Sequence, residues 1–268
     1  MSAWAGRVGA ALVALLVPCA CIGTTGSEVV AFQAYAAGPA DARGAGYAFT
    51  TGRGYAVTLD RMKLRVGGVY LNRSLPVSGG QERACFLSGV YVGQVPSELV
   101  VDVLDGRPQR FPTSGTGTRD LARAGEVWLT GARVDADDDA SVILDVAGTA
   151  RRGAETYPFD GRLTIGKNRR TVQTDPTLPG ADPLCGQRIV SPIPIDLTPA
   201  EGGSLLVRVD PRGVFANVEF AELERVSEAP PAYRFADATE GQPNVAIYAG
   251  MRAASGVYAF QWNVSSTP

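Results

Sequence analysis

A chain of 268 residues with 45% hydrophobic and 19% charged residues carries enough apolar material for a buried core and falls in the globular range. Its 25 basic and 27 acidic residues leave a formal charge of -2, which excludes the basic footprint of a nucleic-acid partner. Histidine is absent, so a Ser-His-Asp or Cys-His nucleophile, a histidine general base and a His-containing zinc site are excluded together.

The N-terminus carries an address. Met1 to Arg7 is short and positive, Val8 to Val17 is an unbroken run of small and apolar residues, and Pro18-Cys19-Ala20-Cys21 breaks it before a polar stretch. This layout predicts an export signal over residues 1–23, and the apolar run is too short to span a bilayer. The segment resembles a bacterial lipoprotein signal, in which a cysteine becomes the acylated N-terminus. Ala20 puts a small residue directly before Cys21, so lipidation is expected there, with Cys19 as the alternative; ordinary cleavage releasing a soluble protein stays open. Several acyl chains anchor stably without any spanning helix. Residues 24–45 mix Gly, Ala, Thr and Ser around one apolar stretch, Val29 to Tyr35, which predicts a tether or a peripheral strand.

From Tyr55 onward the apolar residues recur with period two. Tyr55, Val57 and Leu59 alternate with small and polar residues, and comparable segments follow at 64–71, 99–104, 127–134, 140–146, 157–165, 189–197, 205–209 and 214–223. Gly, Pro, Asp and Ser clusters bound each one, the signature of strands joined by turns. The spacing predicts an all-β fold, an antiparallel β-sandwich forming a single domain over residues 46–268. A short helical turn is expected at 119–124 behind the cap Thr118. A terminal hairpin is expected from Asn244–Tyr248 and Val257–Val264, with Tyr258, Phe260 and Trp262 on one side of its second strand.

Two cysteines, Cys85 and Cys185, remain after the signal. An oxidising compartment makes them a predicted disulfide, closing a loop of about 100 residues. With no Cys-x-x-Cys and no histidine beside them, a metal or redox role has less to stand on.

No catalytic motif is present: there is no Gly-x-Ser-x-Gly elbow, and the glycines of 113–118 lack the lysine of a phosphate loop. Asp135, Asp137 and Asp139 occupy the first, third and fifth positions of a calcium loop, but Ala140 replaces the turn glycine and Val146 the bidentate glutamate. The expectation is a solvated acidic turn, and calcium held by these three residues with water is the minor alternative. Asp102, Asp145, Asp160, Glu219 and Glu222 lie on predicted strands or their ends, where a glycosidase pair could converge. Trp128, Tyr157 and Trp262 are candidates for stacking on a sugar, with core packing as the competing fate.

The stretch from Pro194 to Asp210, with its Asp196-Leu197-Thr198-Pro199 turn, resembles the late strands of uncharacterised bacterial envelope lipoproteins with a sandwich fold, over residues 55–225. That resemblance implies an address and a fold, and no site residues. The reading is an exported, lipid-anchored protein of the bacterial cell envelope that binds an unknown protein or glycan without catalysis. The alternatives are a carboxylate-dependent glycan hydrolase and a surface assembly component that takes a protein partner on a sheet edge.

Overall fold

The computed structural model describes residues 28–74, 89–131, 139–165, 188–238 and 240–268. The predicted signal segment 1–23, Cys19, Cys21, Cys85, Cys185, Asp135 and Asp137 lie outside the described residues. Two β-sheets pack together. The larger runs β12 (Ile189–Leu197), β9 (Ala122–Trp128), β4 (Gly68–Asn72), β5 (Tyr91–Val95), β8 (Gly115–Thr118), β1 (Val29–Ala37), β13 (Ser204–Val209) and β16 (Tyr258–Asn263), with β7 (Gln109–Arg110) beside β1. The smaller runs β14 (Glu224–Glu228), β15 (Pro231–Phe235), β11 (Glu155–Ile165), β10 (Asp139–Arg152), β3 (Ala56–Val66) and β2 (Tyr47–Thr50), with β6 (Leu99–Asp102) also on β3.

The all-β, sandwich-like fold agrees with the sequence reading, but the sheets are mixed. β1 runs parallel to β13, and β15 runs parallel to β11. Period two reports which residues face inward and is blind to strand direction, so it does not separate these two pairs from the antiparallel rest.

Three segments differ from expectation. Val29–Ala37 is neither a tether nor a peripheral strand: it pairs with β8 and β7 along one side and with β13 along the other. Phe32, Ala34 and Ala36 of β1 enter the core. The expected helical turn at 119–124 is instead the bend into β9, where the Thr118 hydroxyl donates to Asp120 at 2.8 Å. The C-terminal hairpin is replaced by a helix, α2 (Gln242–Met251), with Pro243 in its first turn. β16 then pairs with β13, placing Tyr258, Phe260 and Trp262 opposite Val209, Val207 and Leu205. These aromatics do share one side, and all three pack on the core.

The expected strand at 214–223 is the most instructive difference. Asp210 caps the turn α1 (Pro211–Val214), accepting from the Arg212 N–H at 2.9 Å, and Pro211 supplies the fixed φ of a first helical position. A 3₁₀ turn at Phe220–Glu222 follows. The apolar residues Val214, Val218 and Phe220 imitate a strand's period, yet Phe215 is buried with them, which no single strand face permits. Phe215 and Phe220 lie 6.0 Å apart, and Phe220 stands 5.1 Å from both Phe159 and Tyr55. Phe235 closes the group edge-on to Phe159 at 5.5 Å.

These rings fill the space at one end of the core, where truncation leaves a cavity. Phe220→Ala is expected to cost about 3–5 kcal/mol. Val226→Ala, at a position 41% exposed, should stay within about 0.5 kcal/mol of wild type. Urea unfolding of both variants checks the contrast.

Candidate functional site

The two outer faces of the sandwich differ in chemistry. On the smaller sheet, strand register lines up alternating charges. Asp102, Lys63, Asp145 and Arg162 are successive cross-strand partners over β6, β3, β10 and β11. A second row runs from Arg61 past Ala147 to Asp160, Arg234 and Glu224. Arg61 binds Asp145 at 3.0 Å, and Arg234 lies 3.5 Å from Asp160. A hollow of about 370 Å³ between these side chains also takes in Asp237, whose carboxylate accepts from the Thr164 N–H and hydroxyl at 3.0 and 2.6 Å.

That arrangement bears directly on the candidate acids. Asp102 and Asp145 sit on either side of Lys63, two strand spacings apart, on an exposed face. Glu219 is elsewhere, clamped by Arg152 at 3.0 Å and Arg53 at 3.4 Å, and it accepts from the Tyr55 hydroxyl. Burial pushes the Glu219 carboxyl up, but these donors outweigh it and hold it below the ordinary carboxylate range. Burial, with the same contact adding to it, pushes Tyr55 up to about 12. Glu222 is exposed beside this cluster. The five acids therefore do not converge, and four of them pair with or flank cations.

Asp139, the one described member of the proposed calcium loop, is buried at the start of β10. Its carboxylate accepts from the Thr130 hydroxyl and from the Ser141 N–H at 2.9 Å, with Arg188 at 3.8 Å. Burial raises this carboxyl, yet the hydroxyl, the amide and the guanidinium together leave it lowered. Asp139 thus joins β10 to the entry of β12, and a metal there would have to displace that guanidinium. Among the described residues no cluster of three metal-ligating side chains occurs.

Among the described residues the larger sheet lacks such rows of alternating charge, and an exposed ion pair, Arg123–Asp196 at 2.7 Å, joins β9 to its edge strand β12. The sheet's central row is Glu126, Tyr70, Gln94, Thr116 and Ala31 across β9, β4, β5, β8 and β1. Gly68 lies opposite Trp128 and leaves room for the Tyr70 ring, which stacks on Trp128 at 4.2 Å with 28° between planes. Tyr91 meets Tyr70 edge-on at 5.6 Å and is 38% exposed. Beneath these rings Glu126 is fully buried. The Tyr91 hydroxyl and the Trp128 indole N–H donate to its Oε2 at 3.2 and 3.4 Å. Burial pushes the Glu126 carboxyl above its ordinary range, with the Trp128, Tyr91 and Asn72 donors pulling the other way.

Of the three sequence candidates for stacking, Trp128 alone remains on an outer face. Tyr157 is buried, donates to Glu155 at 2.6 Å and packs edge-on against Tyr55. Trp262 packs edge-on against Phe32 at 5.2 Å. Sequence reasoning missed Tyr70, Tyr91 and Glu126. The signal was present for one of them, since Glu126 stands two residues before Trp128 and strand periodicity gives them one face.

No protein-family model, no curated protein and no solved structure matches the chain. No helix among the described residues is long and apolar enough to cross a membrane.

An acid whose folded-state affinity for protons is raised weakens the fold as it ionises. That penalty is absent below the unfolded carboxyl value near 4.3, grows as pH rises through the window up to the raised folded value, and is constant above it. Glu126→Gln keeps the shape and removes the charge. It should therefore be more stable than wild type at pH 7.5 and lose that advantage at pH 4. Urea midpoints at the two pH values check this.

Proposed function

We propose that the chain is an exported, lipid-anchored protein of the bacterial cell envelope. In this reading it acts without catalysis, as a binding module that takes a glycan on the outer face of the larger sheet. The observation that carries the reading is the Trp128–Tyr70–Tyr91 group with Gln94 and Thr116 beside it. Aromatic rings offer a planar apolar surface to a sugar's C–H face. Amide and hydroxyl side chains donate and accept hydrogen bonds with its hydroxyls. The groups beside these rings, Gln94 and Thr116, are uncharged and suit a neutral, polyhydroxylated ligand, whereas on the opposite face Arg61 pairs with Asp145 and Arg234 with Asp160.

The hydrolase alternative has less support. A glycosidase needs one carboxyl held protonated near a second across a cleft, and Asp102, Asp145, Asp160 and Glu219 each pair with or flank a cation. Glu126 has the raised proton affinity of an acid catalyst, but its neighbours are aromatic rings and an amide.

The address rests on the apolar run Val8 to Val17 and the cysteine that follows Ala20. Detergent partitioning of wild type against Cys21→Ser tests it: the wild type should enter the detergent phase and the variant the aqueous phase. Equal aqueous recovery of both would reject anchoring at Cys21.

Calorimetric titration with peptidoglycan fragments and neutral oligosaccharides tests the binding face. Trp128→Ala should weaken binding by at least about tenfold, roughly 1.4 kcal/mol, while Lys63→Ala on the opposite sheet leaves it unchanged. No binding by wild type, or equal losses in both variants, would overturn the reading.

A further inference from the structure

A cleft of about 510 Å³ opens where the corner Pro39–Asp41 approaches the end of β13 and the start of β16. It lies in the size range of small-molecule sites. Its walls are largely apolar, with Pro39, Ala40, Val257 and Ala259 among them. Two arginines and two aspartates supply its polar groups, and these are not equally engaged. Arg212 closes on Asp210 with Nε at 2.9 and 3.0 Å from the two carboxylate oxygens and Nη2 at 2.8 Å. Asp41 accepts from the Tyr47 hydroxyl at 3.3 Å.

Arg208 is different. Its Nη1 donates to the carbonyls of Gly38 and Gly106 at 2.8 and 3.1 Å, which fixes the guanidinium against the corner. No carboxylate among the described residues pairs with it. A guanidinium carries five N–H donors in a rigid fork; both carbonyls share Nη1, and Nε and Nη2 have no acceptor among the described residues. A half-buried cation that has given up part of its hydration, and forms no ion pair among the described residues, gains from an anion more than an exposed arginine does.

We propose that this cleft is a second binding site, distinct from the aromatic face, for an organic monocarboxylate with an apolar body. The carboxylate pairs with the free side of the Arg208 fork, and the body lies along Pro39, Ala40, Val257 and Ala259. Asp210 is neutralised by Arg212, and Asp41, held by the Tyr47 hydroxyl, selects the charge of the ligand: its carboxylate repels a dianion such as a phosphate monoester more strongly than a monoanion.

Titration of the full chain with octanoate, octanol and octyl phosphate at pH 8, followed by calorimetry, tests the site. Octanoate should bind saturably at one site, octanol should not bind measurably, and octyl phosphate should bind at least tenfold more weakly than octanoate. Arg208→Gln should weaken octanoate at least tenfold, and Arg208→Lys, which keeps the charge and loses the fork, should fall between. Because Arg208 also ties two carbonyls, its variants can fail by unfolding. Ala259→Trp fills the exposed apolar wall beside Arg208, its cross-strand partner, while keeping the arginine itself, and should abolish octanoate binding on its own. Absence of octanoate binding to wild type, octanol binding as tightly as octanoate, octyl phosphate binding equally well, or no effect of Ala259→Trp would each overturn the proposal. Glycan binding at Trp128 is unaffected by any of these outcomes.

Discussion

The packing of aromatic rings between the sheets is the constraint on which the other features depend. Phe159 of β11, Phe235 of β15 and the loop residues Phe215 and Phe220 interlock at centroid distances of 5.1 to 6.2 Å. Burying Phe215 and Phe220 forces the 214–223 segment inward. That inward path brings Glu219 to Tyr55 and Arg152, and Gln242 of α2 then holds the Glu219 N–H at 2.8 Å. A connection that sequence pattern reads as an ordinary strand thus becomes the plug that closes one end of the core.

Outside the core, the same strand alternation writes two different surfaces. On the smaller sheet, opposite charges face one another across neighbouring strands, each pair contributing a few tenths of a kcal/mol to about 1 kcal/mol. These charges serve the sheet, and a ligand would have to break existing pairs to use them. On the larger sheet the corresponding positions hold Tyr70, Gln94 and Thr116, and side chains of that kind have little to offer one another across the ladder beyond ring stacking. Their hydrogen-bonding capacity is left facing outward. The contrast favours a binding role for one face and a structural role for the other.

Much of the strand content was legible because inward and outward residues alternate. β12 begins and ends where the pattern places it, at Ile189 and Leu197, and β11 and β13 differ by one or two residues at their starts. What the pattern hides is partnership. Nothing in Val29–Ala37 announces that its neighbours are β8 and β13, and an Ala-rich strand with no charged residue looks like a tether until its burial is known. The candidate site was legible in one residue, Trp128. Tyr70 and Tyr91 sit on different strands that only register brings beside it. The carboxylates misled because sequence shows acids and cannot show the arginines that meet them, as Arg61 meets Asp145 and Arg152 meets Glu219. Arg208 carried no sequence signal at all, since its distinction, the lack of an ion pair among the described residues, exists only in space.

The parallel contact between β1 and β13 has a temporal consequence. Arg208 bonds the carbonyl of Gly38 across 170 residues of chain, and the first strand of the larger sheet has no partner on that side until the thirteenth exists. Contacts of such separation cannot form early, and a fold dominated by them assembles slowly. During synthesis the N-terminal half would emerge long before it could close its core. For a chain proposed to leave the cytoplasm, that delay would be an asset: it would keep the polypeptide threadable until its last strands had been made, and would postpone assembly of the sandwich until after export.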